Sequence, residues 1–305
     1  MKELVDRLVS VIGQIIVGKE PVIRQALACL IARGHLLIED LPGVGKTTLA
    51  HVIAQALGLQ FQRIQFTSDL LPADIIGASV YERDNGRFTF HPGPVFSQVI
   101  LADEVNRATP KTQSALLEAM EERQVTVEGE TRALPNPFFV IATQNPAHLI
   151  GTFPLPESQL DRFLMRIEMG YPDSAAEREL LLGRDRREML STLEPCTTPE
   201  QMLVLQQRAA DLHTSHALID YVQALVSKTR NDPLYLTGLS PRAGLALVRG
   251  AKAWAMMAGR QEVLPEDVQA VLPGVVSHRL HLREDEGQQS LTTVAQQLIE
   301  SVPIP

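Results

Sequence analysis

The stretch LIEDLPGVGKTTL, residues 37–49, decides the fold of this chain. Apolar side chains at residues 36–38 predict a short buried strand, and the proline and glycines of residues 42–45 predict a tight turn directly after it. Apolar residues then recur at helical spacing from Leu49 to Ala56. A strand, a glycine-rich turn and a helix in this order form a phosphate-binding loop, because backbone N–H groups and the positive end of the helix converge on phosphate oxygens.

The polar residues of this loop fit the chemistry of a nucleoside triphosphate. Lys46 is placed to contact the β- and γ-phosphates, and the hydroxyl of Thr47 is placed to bind Mg²⁺. One position departs from the pattern G-x-x-x-x-G-K-[ST], because Asp40 stands where the pattern has its first glycine. The residues of the loop predicted to bind the nucleotide are Pro42, Gly43, Val44, Gly45, Lys46, Thr47 and Thr48.

Composition restricts the class of protein. The chain has 305 residues, enough for two domains, and 28 Lys and Arg against 36 Asp and Glu give a net charge of −8. That balance disfavours a nucleic-acid-binding protein, for which a basic face is expected. Cys29 and Cys196 lie far apart, so we expect a reducing compartment and no disulfide framework. Because the sequence shows no leader-like or membrane-spanning apolar run, we predict a soluble, cytoplasmic protein.

The pattern of apolar residues changes near residue 171. Before it, short apolar strands alternate with helices, which is typical of an α/β domain whose parallel sheet is covered on both faces. Two β-hairpins interrupt this domain, one around Asn85-Gly86 and one with a turn near Gly129. We therefore predict an α/β core over residues 1–170 and a smaller helical domain over residues 171–305, with one helix covering residues 175–190.

Polar residues follow two of the predicted strands. Asp103 and Glu104 come directly after an apolar run, where one carboxylate can bind Mg²⁺ and the other can orient and deprotonate an attacking water. An acidic pair at a helix N-terminus would look the same, but the preceding phosphate loop favours the first interpretation. Asn145 follows the next strand, where its amide could contact the γ-phosphate, although a simple turn residue before a proline is the commoner case.

Four further residues leave two interpretations open. Val17 and Gly18 precede the loop strand and could line an adenine pocket, or they could simply pack two helices together. Arg162 could be a surface arginine paired with Asp161 or Glu157, or it could have a functional role. Arg242 lies in the first turn of a predicted helix, where a cation is unfavourable, and a residue placed against its local preference hints at a function.

The ordered set of motifs resembles a known family. LPGVGKTTLA, VILADEVNRA, VIATQNP, LPESQLDRF and LSPRA occur in this order at spacings similar to those of the AAA+ ATPases. The residues NRA after the acidic pair, ATQNP, and the run TFPLPESQLDRF are similar to the MoxR family within that class. The resemblance extends from about Ile15 to about Leu282 and implies an AAA+ core with a helical lid.

The resemblance implies a role for each matching residue. Lys46 and Thr47 correspond to the Walker A pair, Asp103 and Glu104 to the Walker B pair, and Asn145 to sensor 1. Arg242 corresponds to the sensor 2 arginine of the lid, reaching the nucleotide of its own subunit, and Arg162 to the arginine finger that enters the neighbouring subunit's site. The implied ligands are ATP and Mg²⁺. The implied partners are copies of the chain in a ring, commonly a hexamer, a von Willebrand factor A-domain protein, and a protein client that the ATPase remodels.

Two other functions remain open at this point. A nucleotide-binding scaffold with negligible turnover would have no use for Asp103, Glu104, Asn145 and Arg162 together. A DNA-remodelling motor would share the hairpin insertions, but both hairpins carry charges of mixed sign rather than a basic surface. We therefore expect nucleic-acid binding to be absent and the protein to work as an ATPase.

Overall fold

The computed structural model describes residues 1–84, 86–145, 151–183, 186–283 and 291–304. Strands and helices alternate through the first part of the chain, and helices dominate the second part. The strands are β1 Leu36–Glu39, β2 Phe61–Gln65, β3 Gly77–Glu82, β4 Arg87–Pro92, β5 Val99–Asp103, β6 Gln124–Val127, β7 Glu130–Ala133, β8 Phe139–Gln144, β9 Met165–Ile167, β10 Tyr235–Thr237 and β11 His281–Leu282.

The helices follow the apolar periodicity of the sequence. They are α1 Lys2–Ile15, α2 Glu20–Ile31, α3 Lys46–Ala56, α4 Pro72–Ile76, α5 Pro110–Glu122, α6 Glu157–Leu160, α7 Ser174–Leu182, α8 Arg186–Ser191, α9 Pro199–Ala210, α10 His216–Asn231, α11 Pro241–Met257, α12 Pro265–Val276 and α13 Leu291–Ser301. The single helix predicted over residues 175–190 is wrong, because α7 ends at Gly183, whose backbone is extended. No helix in the described ranges is both long enough and apolar enough to span a bilayer.

A parallel sheet forms the centre of the first part of the chain. Its five strands in the described residues have the order β2-β5-β8-β1-β9, and every adjacent pair is parallel. The predicted parallel sheet flanked by helices is therefore confirmed. Because the strands are parallel, the ends of β1, β5 and β8 meet at one edge, which is where ligands bind in open sheets of this kind.

Alternating side chains of each strand enter two different cores. Leu36 and Ile38 of β1 pack with α1, α2 and α3 on one face, whereas Leu37 packs with the apolar face of α5 on the other. Each of these three side chains is fully buried. A strand buried on both faces reads as a continuous apolar run, so the short sequence Leu36–Ile38 was sufficient to identify it.

Two β-hairpins leave the sheet domain, as the sequence predicted. β3 and β4 pair antiparallel before β5, and β6 and β7 pair antiparallel between α5 and β8. Gly86 in the first turn and Gly129 in the second have φ of +63° and +81°, in the left-handed region that glycine adopts without strain. Asn85, the other predicted turn residue of the first hairpin, lies outside the described residues.

The helical part packs directly on the sheet domain. Leu225, Leu247 and Leu272 of α10, α11 and α12 belong to the same apolar core as α2 and β9. α11 approaches β9 so closely that a Cβ added to Gly250 would lie 2.9 Å from the Cε of Met165. α11 therefore packs against a side chain of the edge strand β9. The domain boundary near residue 171 stays a prediction.

Candidate functional site

The loop between β1 and α3 has the backbone of a phosphate-binding turn. Gly43 and Gly45 have φ of +86° and +97°, a conformation in which residues with a Cβ are strained. Gly45 is also the N-cap of α3, so the first N–H groups of that helix belong to the loop. A Cβ added at Gly43 would meet no atom within 4 Å, so the loop is open on that side.

Asp40, the residue that departs from the loop pattern, ties the loop to the chain after β9. Its Oδ2 accepts the backbone N–H groups of Met169 at 2.7 Å and Gly170 at 2.6 Å. Its Oδ1 accepts the N–H of Leu41 at 2.7 Å. A glycine at this position could make none of these hydrogen bonds, so the aspartate fixes the first turn of the loop in place of a flexible residue.

Lys46 is held inside the loop by three oxygen atoms. Its Nζ donates to the carbonyl oxygens of Asp40 and Leu41, and to Oδ1 of Asn145 at 3.1 Å. The residue is 8% exposed. Burial lowers the pKa of Lys46, and the neighbouring carboxylates of Asp40, Asp103, Glu104 and Glu39 oppose that effect. The ammonium group therefore lies in a negative environment that keeps it charged.

Asp103, at the end of β5, is a buried carboxylate with contacts on both oxygens. Its Oδ1 accepts the Thr143 hydroxyl at 2.6 Å, and its Oδ2 accepts Nη2 of Arg63 at 2.6 Å. The hydroxyl of Thr47 lies 3.4 Å from the same Oδ2. The strand end and the helix start thus bring one carboxylate and one hydroxyl together; their binding of Mg²⁺ stays a prediction.

Glu104 follows in an unusual backbone conformation. Its φ of +57° lies in the left-handed region, which is uncommon for a residue other than glycine and recurs at functional sites. Its Oε1 accepts the side-chain amide of Asn145 at 3.1 Å, and its Oε2 accepts Nη1 of Arg107 at 3.1 Å. Its backbone N–H donates to the hydroxyl of Thr143 at 2.9 Å.

Asn145 connects the loop lysine to this glutamate. The carbonyl oxygen of its side chain accepts from Lys46, while its amide nitrogen donates to Glu104. Its backbone oxygen accepts the side-chain amide of Asn106 at 3.2 Å, which fixes the residue at the end of β8. The structure therefore brings Lys46, Asp103, Glu104 and Asn145 together at one edge of the sheet.

The oxygen atoms at this edge fit a magnesium ion. Mg²⁺ prefers oxygen ligands and is commonly held by one or two protein groups together with substrate phosphates. Thr47 and Asp103 supply such a pair, and within the described ranges no cluster of three His, Cys, Asp or Glu side chains forms a cage of another kind. Arg63 contacts the same Asp103 oxygen, so an ion bound there would share that carboxylate with a guanidinium group.

The segment that follows β9 lies against both Gly18 and the phosphate-binding loop. A Cβ added to Gly18 would lie 2.8 Å from the Cβ of Ala176, and one added to Gly45 would lie 3.7 Å from the Cε of Met169. The Nζ of Lys19 donates to the carbonyl oxygen of Tyr171 at 2.7 Å. Residues 169–176 therefore touch both the loop and Gly18. A contact of Val17 and Gly18 with adenine stays a prediction.

Arg162 and Arg242 lie at the opposite edge of the sheet. Both line a cavity of about 150 Å³ together with His35 and Glu121, which we call the arginine pocket. His35 directly precedes β1 and Asp40 directly follows it, so the pocket and the loop are separated by the strand's length, roughly 15 Å at about 3.3 Å per residue. Arg242 pairs with Glu121 at 2.8 Å, whereas Arg162 donates to the carbonyl oxygen of Leu117.

The expectation that Arg242 reaches the nucleotide of its own subunit is therefore wrong for this structure. Because α11 packs along α2 and β9, its first turn faces the end of α5 rather than the phosphate loop. The pairing of Arg162 with Asp161 or Glu157 is also not observed, since Asp161 binds Arg279 and Ser240 instead. In the described residues Arg162 has no carboxylate partner.

Two residues of the site were missed by the sequence analysis. Thr143 carried a signal, because it is a polar side chain at the end of an otherwise apolar strand, in register beside Asp103. Arg63 carried none, because its contact with Asp103 depends on the register between β2 and β5, which spacing along the chain does not reveal.

Comparison with known proteins agrees with this geometry. A family model described as "ATPase family associated with various cellular activities (AAA)" matches residues 35–165, and an AAA lid domain model matches residues 227–301. A crystal structure from Cytophaga hutchinsonii, of a provisionally named ATPase, has a TM-score of 0.90 and 37% identity, covering 100% of this chain and 96% of that one. The fold is thus an AAA+ core with a helical lid, as predicted.

Relatives of known name narrow the class to a family. "Chaperone MoxR1" of Mycobacterium tuberculosis is 40% identical over 98% of this chain and 82% of its own length. "Protein MoxR" of Methylorubrum extorquens is 32% identical over 96% and 93%, respectively. An uncharacterised protein of Bacillus subtilis, YeaC, is 42% identical over 99% and 95%. The chain belongs to the MoxR family of AAA+ ATPases, which confirms the resemblance drawn from its motifs.

Proposed function

We propose that this protein hydrolyses ATP in a Mg²⁺-dependent reaction at the edge formed by the loop, Asp103, Glu104 and Asn145. The observation that carries the proposal is the bridge made by Asn145, whose side chain bonds to Lys46 and to Glu104 at once. A group that binds phosphate and a group that can accept a proton are thereby held together by one amide. A site that only stored a nucleotide would not need the second group.

Each residue has a task that its contacts support. The loop N–H groups and Lys46 bind the phosphate oxygens, and Thr47 and Asp103 would hold Mg²⁺, which when bound neutralises charge on those oxygens. Oε1 of Glu104 accepts a proton from the attacking water, and Asn145 orients that carboxylate. Arg107 and Gln65 each donate a hydrogen bond to Oε2 of Glu104, and together they fix the orientation of its carboxylate.

The site of one subunit is proposed to be completed by its neighbour. Arg162 lies too far from the loop of its own chain to contact the same nucleotide, and it has no carboxylate partner in the described residues. A ring in which the arginine pocket of one copy faces the loop of the next would bring Arg162, and with it Arg242, to the γ-phosphate. We propose a hexamer, the ring size implied by the family, located in the cytoplasm.

The work done by the ATPase is proposed to be remodelling of protein clients. The Mycobacterium tuberculosis relative carries the name chaperone, which supports this reading for the present chain. A von Willebrand factor A-domain partner stays a prediction from family resemblance. No feature of the described site favours DNA as the client.

The substitution Glu104→Gln tests the catalytic assignment. The amide keeps the size of the side chain but accepts a proton poorly, so we expect ATP binding to persist and hydrolysis to fall by about 10²–10⁴-fold, the range typical of general-base loss. Fluorescent-nucleotide binding and phosphate release measure the two steps separately. Glu118→Gln, an exposed glutamate on α5, is the matched control. Hydrolysis by Glu104→Gln at the wild-type rate would remove Glu104 from the mechanism.

A further inference from the structure

A second cavity adjoins the arginine pocket on the side of the helical domain. It has a volume of about 370 Å³ and lies between the end of α2, α9 and α11. Its walls include the apolar side chains Ile31, Ala209 and Val248, together with the buried amide of Gln206. We call it the basic cavity, because every charged side chain that lines it is cationic. Its volume is within the range of sites that hold small organic molecules.

Four cations converge on this cavity. They are Arg33, Arg123, Arg249 and Lys252, and no carboxylate lines the same space. A chain whose net charge is −8 has ample carboxylates with which to pair surface cations, and it pairs many others. The charge of this cavity is therefore opposite in sign to the net charge of the molecule, and its cations have no ion-pair partner in the described residues.

The contacts of these cations are with neutral groups. Arg33 donates to the side-chain oxygen of Gln207 at 3.1 Å, Lys252 to the carbonyl oxygen of Ala210 at 2.8 Å, and Arg123 to the carbonyl oxygen of Arg33 at 3.4 Å. Arg249 makes no hydrogen bond or ion pair with any residue in the described ranges. None of these hydrogen bonds is made to a carboxylate, so the four cations have no ion-pair partner within the described residues.

The cations also repel one another. Burial lowers the pKa of Arg123, and the charge of Arg33 lowers it further. Burial likewise lowers the pKa of Arg249, the charges of Arg123 and Arg242 lower it further, and Cys29 and Glu121 act in the opposite direction. Like charges held together in a partly apolar cavity cost free energy in the folded state, and a bound anion would remove that cost.

We infer that the basic cavity is a binding site for a phosphorylated small molecule, separate from the nucleotide site at the loop. The phosphate would lie among Arg33, Arg123 and Arg249, for which guanidinium groups are suited by their planar arrays of donors. The apolar walls would cover the uncharged body of the ligand. Arg33, Arg123 and Arg249 also line the arginine pocket, so the two cavities share one cationic wall, whereas Arg162 and Arg242 line the arginine pocket and not the basic cavity.

The probe for this site is adenosine monophosphate, with adenosine as its uncharged counterpart. Isothermal titration calorimetry is performed on the full chain carrying Lys46→Ala, which weakens phosphate binding at the loop. We expect one adenosine monophosphate to bind per chain, with affinity falling as salt rises, and adenosine to bind at least tenfold more weakly. Adding Arg123→Gln and Arg249→Gln is expected to reduce the affinity for adenosine monophosphate at least tenfold.

Arg178→Gln, an exposed arginine on α7, is the matched control and is expected to leave binding unchanged. Thermal unfolding without ligand distinguishes a binding role from a structural one. Arg249→Gln should raise the melting temperature, because it removes charge repulsion. If Arg249 made a structural contact, the substitution would lower the melting temperature. The inference is overturned if adenosine monophosphate does not bind, binds the double variant equally well, or binds no better than adenosine. Because every sample carries Lys46→Ala and binding rather than hydrolysis is measured, none of these outcomes depends on the proposed ATPase activity.

Discussion

At the scale of single residues, Thr143 decides how the two acidic residues of the site are arranged. One hydroxyl donates to Oδ1 of Asp103 and accepts from the backbone N–H of Glu104. Thr143 is fully buried, so water cannot replace either hydrogen bond. The side chain of Asp103 and the left-handed backbone of Glu104 are therefore held by a single oxygen atom on the neighbouring strand.

Replacing Thr143 by valine removes that oxygen and keeps the shape of the side chain. We expect the Mg²⁺ concentration needed for half-maximal ATP hydrolysis to rise about tenfold, because one lost buried hydrogen bond to a charged group is worth about 1.5–3 kcal/mol. Titration of Mg²⁺ at saturating ATP measures the effect. Thr126→Val, in the exposed second hairpin, is the control. An unchanged magnesium requirement would show that Asp103 is positioned without Thr143.

At the scale of secondary structure elements, His35 joins three of them at the amino end of β1. Its Nδ1 accepts the N–H of Val140 in β8 at 2.9 Å, and its Nε2 lies 3.2 Å from the carbonyl oxygen of Met120 in α5. These partners require a neutral ring with its proton on Nε2. Burial lowers the pKa of His35 to about 4. The junction of sheet and helix beside the arginine pocket thus depends on an uncharged histidine.

This histidine predicts a loss of stability in mild acid. The unfolded ring titrates near 6.5 and the folded ring near 4, so between these pH values the unfolded state binds more protons and stability falls as pH falls. From pH 6.5 to pH 5 we expect His35 to cost about 2 kcal/mol of unfolding free energy. Urea unfolding at pH 8, 6.5 and 5 measures it.

The variant His35→Asn isolates this contribution. It should be less stable than the wild type at pH 8, yet lose less free energy between pH 6.5 and 5, because the titrating group is gone. The exposed His216→Asn serves as the control and should follow the wild type. If His35→Asn keeps the wild-type slope, the acid sensitivity originates elsewhere, for example at His278, whose pKa burial also lowers.

At the scale of the whole molecule, the groups proposed for catalysis lie at two opposite edges of one sheet. The loop edge carries the nucleotide-binding and proton-accepting residues, and the other edge carries Arg162 and Arg242. A head-to-tail arrangement places the arginine pocket of one copy against the loop of the next, and it repeats until a ring closes.

Mixing two inactive variants tests this arrangement. Glu104→Gln chains lack the base, and Arg162→Ala chains lack the arginine, so each alone should be inactive when assembled. In an equal mixture, about a quarter of the interfaces would pair an intact base with an intact arginine from the neighbour, and about that fraction of activity should return. Mixing Glu104→Gln with the double variant is the control. If no activity returns, the arginine does not act across an interface.

The sequence predicted the parts of the site that are local motifs, and it did not predict the contacts between residues far apart along the chain. The loop, the acidic pair and Asn145 were predicted because each is a local motif at the end of an apolar strand, and parallel strands end at the same edge. The position of Arg242 was not, because the sequence of α11 does not state against which face of the sheet it packs. Arg63 depends on strand register in the same way.

The carboxylate of Asp40 has a mechanical consequence for the molecule. It joins the first turn of the loop to Met169 and Gly170, a few residues before α7 begins at Ser174. Each of these hydrogen bonds to a charged group is worth about 1.5–3 kcal/mol. A shift of the loop that accompanies nucleotide entry or product release must therefore pull residues 169–170 along or break both bonds. Where the pattern has a glycine, this aspartate therefore couples the phosphate-binding loop mechanically to the segment between β9 and α7.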